Sequence, residues 1–178
     1  LVMLAALLVV YNPETEDKNQ DLVKFRQYMN FTRSKIISIE IKKSENRIVL
    51  LNRGGLWVIS TKGDFPADMD RVNELIQALE SGYIEGPVGT KDLTNYGLGA
   101  EARRFRVTLE SGKEIVFRVG KETPDRMGSF IAPKEGNLVF TTTKPLWLYT
   151  PDASLWFKRD VEFVRPMDRI EVILGGRH

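Results

Sequence analysis

The residue types that most often carry out chemistry in proteins are scarce in this chain. The single histidine, His178, is the last residue, and there is no cysteine. A histidine- or thiolate-based metal site needs several such ligands to converge, so no metal site is predicted. No serine lies in a G-x-S-x-G nucleophile turn. The sequence therefore predicts no catalytic residue of the nucleophile or metal-bound class.

Paired carboxylates are the remaining route to acid–base chemistry, because two facing carboxyl groups can cleave a glycosidic bond without any sequence motif. Asp92, Glu101 and Asp125 lie in predicted loops. Loops are also acidic simply because they are solvated. A hydrolase is therefore the less favoured hypothesis, and it requires two of these carboxyl groups to face each other across a cleft.

Phosphate-binding and cofactor motifs are incomplete. Gly120-Lys121 lacks the earlier glycine of a P-loop and is followed by Glu122. Residues 96–99 contain G-x-G, but no third glycine follows at the dinucleotide-binding spacing. A tight turn is the favoured interpretation of 96–99, and no cofactor is predicted.

The distribution of charged residues and the positions of the tryptophans do not favour a nucleic-acid-binding protein. The 26 basic and 24 acidic residues are interspersed along the chain, whereas nucleic-acid-binding proteins usually concentrate one sign of charge. Trp57, Trp147 and Trp156 have apolar neighbours in sequence. Core packing is predicted for them, with an exposed anchor at a protein interface as the alternative.

The first eleven residues are uncharged and apolar. A helix rises about 1.5 Å per residue, so eleven residues are too short to cross a hydrocarbon core of about 30 Å. Because the chain starts at leucine rather than methionine, we interpret residues 1–11 as the C-terminal half of a transmembrane helix that Pro13 ends. A signal-peptide remnant and a buried core helix are the alternatives. The predicted membrane-anchor residues are Leu1, Val2, Met3, Leu4, Leu7, Leu8, Val9, Val10 and Tyr11.

The segment after the anchor predicts the topology and the domain boundaries. Glu14, Glu16 and Asp17 outnumber Lys18, which favours translocation of the downstream domain across the membrane. Residues 12–33 are predicted to be a linker with a candidate short helix over residues 21–28. Residues 34–178 are predicted to form one α+β domain, made of antiparallel β-meanders with one main amphipathic helix.

Hydrophobic periodicity predicts the first meander and the main helix. Apolar residues alternate at Ile37, Ile39 and Ile41, and turns separate strands over residues 36–42, 47–52 and 56–60. Asp68 is a suitable N-cap for a helix whose apolar residues recur at helical spacing. Gly82 is predicted to end that helix in the left-handed conformation.

The rest of the domain is predicted to be a long loop followed by short strands. Residues 83–99 are rich in Gly, Asn and Pro and are predicted to be a connecting loop. Strands are expected over residues 105–109, 114–119, 127–133, 137–142 and 146–150, with a brief helix over 154–157. Similar tripeptides near residues 31–41 and 163–172 suggest an incomplete internal repeat that starts near residue 160.

Six sequence blocks between residues 37 and 143 resemble a bacterial envelope family catalogued as domain of unknown function 4340. They are Ile39-Glu40-Ile41, Gly55-Leu56-Trp57-Val58-Ile59, Pro66-Ala67-Asp68, Tyr96-Gly97-Leu98, Val107-Thr108-Leu109 and Val119-Gly120-Lys121-Glu122-Thr123-Pro124. The resemblance implies an N-terminal membrane anchor and an extracytoplasmic domain, often encoded near ABC-transporter or gliding-motility components. It implies no catalytic residue, since the family has none established. This chain is shorter than relatives that continue with further similar units.

Two functions are expected from these features. The first is a non-catalytic, single-pass accessory or scaffold subunit of a larger membrane protein complex, with its domain on the periplasmic side of the bacterial inner membrane. Its partners would be other integral membrane subunits and the lipid bilayer around residues 1–11. The alternative is an extracytoplasmic module that binds polysaccharide or peptide, using the loop over residues 83–99 and an exposed tryptophan.

Overall fold

The computed structural model describes residues 13–89 and 92–158 of the 178-residue chain. The predicted membrane anchor (residues 1–11), the predicted repeat that starts near residue 160, and His178 lie outside the described residues. The described helices and strands are α1 (Pro13–Tyr28), β1 (Ile36–Lys43), β2 (Asn46–Arg53), β3 (Leu56–Ile59), β4 (Phe65–Pro66), α2 (Met69–Ser81), β5 (Ile84–Gly89), β6 (Arg103–Leu109), β7 (Glu114–Glu122), β8 (Ser129–Pro133) and β9 (Val139–Thr142).

The fold is α+β with a large antiparallel sheet, as the periodicity predicts. Across the described residues, the strands form a single sheet in the order β4-β3-β2-β1-β6-β7-β8-β9-β5. Two meanders, β1–β4 and β6–β9, lie side by side because β1 pairs with β6 as well as with β2. No helix within residues 13–89 and 92–158 has both the length and the apolar character needed to cross a bilayer.

The larger part of the core lies on one face of the sheet, and a smaller buried cluster of Leu98, Phe130, Ala132 and Val139 lies on the other. Ile41 of β1 is opposite Ile48 of β2 and Phe105 of β6, and all three are buried. The helix α2 covers this face with Val72, Leu75, Ile76 and Leu79. The alternation of apolar residues along β1 therefore fixes which face of the sheet is buried.

The start of α2 agrees with the prediction, and its end differs. The Asp68 carboxylate accepts hydrogen bonds from the backbone N–H groups of Asp70 at 3.0 Å and Arg71 at 3.2 Å. Gly82 is in an extended conformation (φ −69°, ψ 102°), so the predicted left-handed cap is wrong. The reason for a glycine here is steric instead, because an added Cβ would lie 2.6 Å from the carbonyl oxygen of Ala78.

The segment predicted as a linker contains a sixteen-residue helix that belongs to the domain. Pro13 is the first residue of α1, a position where its missing N–H costs nothing. Phe25 is buried and stacks on Phe140 with ring centroids 4.6 Å apart. The Tyr28 hydroxyl accepts a hydrogen bond from the Val116 N–H at 2.7 Å. The helix α1 is therefore packed against the sheet and is not a free linker.

Two further elements differ from the prediction. Strand β5 lies inside the predicted loop over residues 83–99, where Ile84 is opposite Thr142 of β9. The backbone carbonyl of Ile84 in β5 accepts hydrogen bonds from the Arg26 side chain of α1. The helix α1 therefore covers this edge of the sheet. Residues 146–150, predicted as a strand, contain a 3₁₀ turn over Leu146–Leu148 whose Leu146 is buried in the core.

Candidate functional site

The three candidate carboxylates of a hydrolase are held in separate loops. Asp92 caps the 3₁₀ turn Leu93–Tyr96 by accepting from the Thr94 N–H at 3.0 Å. Glu101 accepts from the Ser44 hydroxyl. Asp125 accepts from the Thr123 hydroxyl at 2.5 Å and from the Met127 N–H at 3.1 Å.

All three carboxylates are exposed and accept hydrogen bonds. Asp92 and Asp125 accept from groups in their own loops, and Glu101 accepts from Ser44 in the turn between β1 and β2. The hydrogen bonds from Thr123 and Met127 lower the pKa of Asp125, which keeps it ionised rather than poised as an acid. Glu101 and Asp125 line different cavities. The facing pair that a carboxylate hydrolase requires is not formed by these three residues.

Metal-ligating side chains do not converge in the described part of the chain. Within residues 13–89 and 92–158, no group of three or more His, Asp or Glu side chains is placed to hold a metal ion. The loop over residues 96–99 forms a tight turn, as predicted: Gly97 is left-handed (φ 70°), and its Cβ position lies 2.9 Å from the Lys121 nitrogen. This turn packs on the end of β7.

Two of the three tryptophans are core residues, as predicted. Trp57 and Trp156 are buried, and the Trp156 Nε1–H donates to the Thr150 carbonyl at 2.9 Å. Trp147 is half-buried, and its backbone N–H donates to the Ser129 hydroxyl at 3.0 Å. Neither Trp57 nor Trp156 can therefore serve as the exposed anchor that the interface alternative requires.

An open cavity of about 340 Å³ lies where the C-terminal ends of α1 and α2 meet the start of β5. Tyr83 and Phe31 contribute aromatic rings to its lining, and Tyr83 is 57% exposed. The Arg26 guanidinium carbon lies 4.2 Å from the centroid of the Tyr83 ring, while the same guanidinium donates to the Ile84 carbonyl at 2.8 Å. The sequence pointed to residues 83–99 as a binding loop, but gave no sign of the contribution of α1.

A second cavity, of about 520 Å³, lies at the end of strands β1, β6 and β7. Lys43, Arg103 and Lys121 line it, together with Glu101. Arg103 donates to the backbone carbonyls of Trp147 and Tyr149, and its burial lowers the pKa of its guanidinium. This end of the sheet is basic although charges of both signs are interspersed along the sequence.

These residues form an antiparallel sheet with solvated loops, an aromatic-lined cavity and a basic end. Comparison with known proteins adds the family. No curated protein and no solved structure matches the chain. One family model, described as "Domain of unknown function (DUF4340)", matches residues 57–170, which is more than half of the chain. The protein therefore belongs to the DUF4340 family.

Proposed function

We propose that the protein is a non-catalytic, single-pass accessory or scaffold subunit of a larger bacterial membrane protein complex. In this proposal residues 1–11 lie in the inner membrane, and the domain lies on the periplasmic side. Other integral membrane subunits are its partners.

The packing of α1 is the observation that carries the proposal. This helix follows the apolar segment after a single residue, Asn12, and Phe25 joins it to the domain core. The Tyr28 hydroxyl also connects α1 to the backbone of β7 through two hydrogen bonds. A membrane anchor at residues 1–11 would therefore lead into a helix that is fixed on the domain, which restrains the domain close to the bilayer.

The three loop carboxylates support a role without catalysis, since each is exposed and engaged in a separate hydrogen bond. A subunit that docks onto a complex needs a stable contact surface, and it does not need a reactive pair of carboxylates. The nine-stranded sheet of the described residues provides such a surface, because its neighbouring strands are joined by continuous backbone pairing.

Membrane fractionation followed by purification in mild detergent tests this function. The full chain should sediment with membranes and then co-purify with a fixed set of integral membrane proteins, identified by mass spectrometry. The variant Leu4→Arg/Leu8→Arg should leave the membrane fraction, because a charged residue in the bilayer costs about 2.5–3.5 kcal/mol. A wild-type chain that is recovered only as a free monomer would contradict the proposal.

A ligand-binding module is the second candidate function, and the aromatic cavity at Tyr83 favours it. Fragments of envelope polysaccharide or short peptides would stack on Tyr83 beside the Arg26 guanidinium. Tyr83→Ala should abolish binding of solubilised cell-wall fragments in equilibrium dialysis. Leu148→Ala, which alters an exposed apolar residue that does not line this cavity, is the matched control.

A further inference from the structure

Four basic side chains form a row across the sheet. Lys42 of β1 is directly opposite Arg47 of β2 on one side and Arg104 of β6 on the other. Arg104 is in turn opposite Arg118 of β7. Residues that are directly opposite each other in a sheet point to the same face, so all four side chains share one face.

That face points away from the main core, and at its β8 end Arg118 is opposite Ala132 of the smaller buried cluster. The preceding position on β1, Ile41, and the next position on β6, Phe105, are buried in the core, and successive residues of a strand point to opposite faces. Lys42, Arg47 and Arg104 are exposed, and Arg118 is half-buried. We call Arg47, Lys42, Arg104 and Arg118 the basic row.

The two outer members of the basic row are engaged with other groups. Arg47 forms a 2.7 Å ion pair with Glu40. Arg118 donates to the backbone carbonyls of Pro133 at 3.0 Å, Leu98 at 3.2 Å and Gly136 at 2.6 Å.

The two central members have no such partner. In the described part of the chain, neither Lys42 nor Arg104 has a side-chain hydrogen bond or ion pair. Like charges that face each other across two strands destabilise a sheet. Burial lowers the pKa of Arg118, and the charge of Arg104 lowers it further. Within residues 13–89 and 92–158, Lys42 and Arg104 thus add repulsion to the fold without a compensating side-chain hydrogen bond or ion pair.

The neighbouring positions limit what can bind there. The next row on this face contains Val49, Glu40, Arg106 and Val116, in that order across the four strands. In that row Glu40 pairs with Arg47, and Arg106 pairs with Glu114 at 3.6 Å. Among the described residues of these two rows, the unpaired positive charge therefore lies in the strip formed by the basic row, beside the half-buried apolar side chains of Val49 and Val116. Four strands about 4.8 Å apart give the strip a length of about 14 Å.

These dimensions fit a short peptide. An extended segment of about five residues covers about 14 Å, and its carboxylates can form paired hydrogen bonds with arginine. Its apolar side chains would contact Val49 and Val116. Single-stranded nucleic acid is a poorer fit, because it requires aromatic rings for base stacking, and the described residues on this face of β1, β2, β6 and β7 include none.

We therefore propose that the basic row is a docking site for an acidic peptide segment of a partner protein. The inference rests on the proposed function, since it names the surface and the chemistry by which an accessory subunit contacts its complex. Electrostatic complementarity of this kind contributes mainly to the specificity and rate of association.

Binding of a fluorescein-labelled octaglutamate peptide to the full chain in non-ionic detergent at low salt tests the proposal. Fluorescence anisotropy should show that Lys42→Glu/Arg104→Glu weakens binding at least about tenfold. The control Lys18→Glu/Lys35→Glu changes the net charge by the same amount at two exposed residues outside the sheet, and should bind within about threefold of wild type. Lys42→Thr/Arg104→Thr should also lose binding, with a melting temperature equal to or above that of wild type.

Three results would overturn the basic row as the site. They are an equal loss of binding in both charge-reversed pairs, tighter binding of an eight-residue oligothymidylate than of octaglutamate, and a lowered melting temperature in the threonine pair. Co-purification separates this inference from the proposed function. If Lys42→Glu/Arg104→Glu still co-purifies with the membrane complex, the accessory role stands and the basic row is not the contact. If octaglutamate binds through the row but the wild-type chain never co-purifies, the accessory role alone fails.

Discussion

Gly82, the residue that follows α2, illustrates how one missing side chain lets two elements approach closely. Its φ of −69° is accessible to any residue, so Gly82→Ala would ordinarily stabilise the protein by reducing the freedom of the unfolded chain. Here the added Cβ would lie 2.6 Å from the Ala78 carbonyl oxygen and 2.7 Å from the Thr142 hydroxyl. We expect Gly82→Ala to lower the free energy of unfolding by about 1–3 kcal/mol in urea denaturation.

Gly99→Ala is the matched control for this prediction. Its Cβ would lie 3.3 Å from the flexible Thr94 side chain and no closer than 3.8 Å to the Thr94 backbone. It should change the free energy of unfolding by less than about 1 kcal/mol. If Gly82→Ala is as stable as Gly99→Ala, steric crowding does not explain the glycine.

The Tyr28 hydroxyl makes the contact of α1 with β7 specific. It accepts from the Val116 N–H at 2.7 Å and donates to the Val116 carbonyl at 3.3 Å. Tyr28→Phe leaves both backbone groups without this partner, and should cost about 1–3 kcal/mol of unfolding free energy in urea denaturation. Tyr83→Phe removes a hydroxyl from an exposed ring and should cost less than about 0.5 kcal/mol. Equal effects of the two substitutions would contradict the bond at Val116.

The ionisation of Asp125 makes the stability of the folded protein depend on pH. Hydrogen bonds from Thr123 and Met127 lower its pKa below the ordinary value of 3.8, so its ionised form is favoured in the folded state. The resulting stability is present above the ordinary pKa of 3.8, and it is lost as the pH falls below that value and through the lower pKa of the folded state. Thermal melts of wild type and Asp125→Asn should therefore differ most near neutral pH and converge in acid. Melting temperatures that stay equally far apart at all pH values would contradict this role.

At the scale of secondary structure elements, an aromatic contact helps to fix α1 on the sheet. Phe25 is 5% exposed and stacks on Phe140 of β9. Phe25→Ala should lower the free energy of unfolding by about 3–5 kcal/mol. It should also speed amide hydrogen exchange in β5, whose edge α1 covers. Val23→Ala, on the exposed side of α1, should leave both measurements close to wild type.

The elements that could be predicted from the sequence are those whose local pattern and packing agree. Alternation around Ile39 and Ile41 predicted β1 because these two residues, which share one face of the strand, are both fully buried. The Asp68 cap predicted the start of α2 for a similar reason: the contact is local in sequence. Strand β5 could not be predicted, since its glycines and proline interrupt any alternation, and its partner Thr142 lies far along the chain.

The candidate sites were less predictable than the elements. The basic row depends on register: Lys42, Arg104 and Arg118 are separated in sequence and meet only because β1 pairs with β6 and β6 with β7. Periodicity indicates that each of these residues points away from the core, but not which residues are opposite each other. The cavity at Tyr83 depends likewise on α1, which local sequence pattern placed in a linker.

At the scale of the whole molecule, the family match and the folded unit have different boundaries. The match begins at Trp57, inside β3, and therefore leaves out α1, β1 and β2. Strand β1 nevertheless lies in the middle of the sheet, between β2 and β6. The matched segment alone thus lacks the strand that joins the two meanders.

Removal of residues 1–56 tests this dependence. Without β1, the edge of β6 would lose its pairing partner, and buried residues such as Phe105 and Val107 would lose Ile39 and Ile41 beside them. The shortened chain should show no cooperative transition in thermal or urea denaturation, and should bind hydrophobic dyes. Removal of residues 1–12 alone, which keeps every described strand and helix, should preserve a single cooperative transition. A shortened chain without residues 1–56 that still unfolds cooperatively would mean that β6–β9 and α2 form a core without β1, and that the two meanders are independent units.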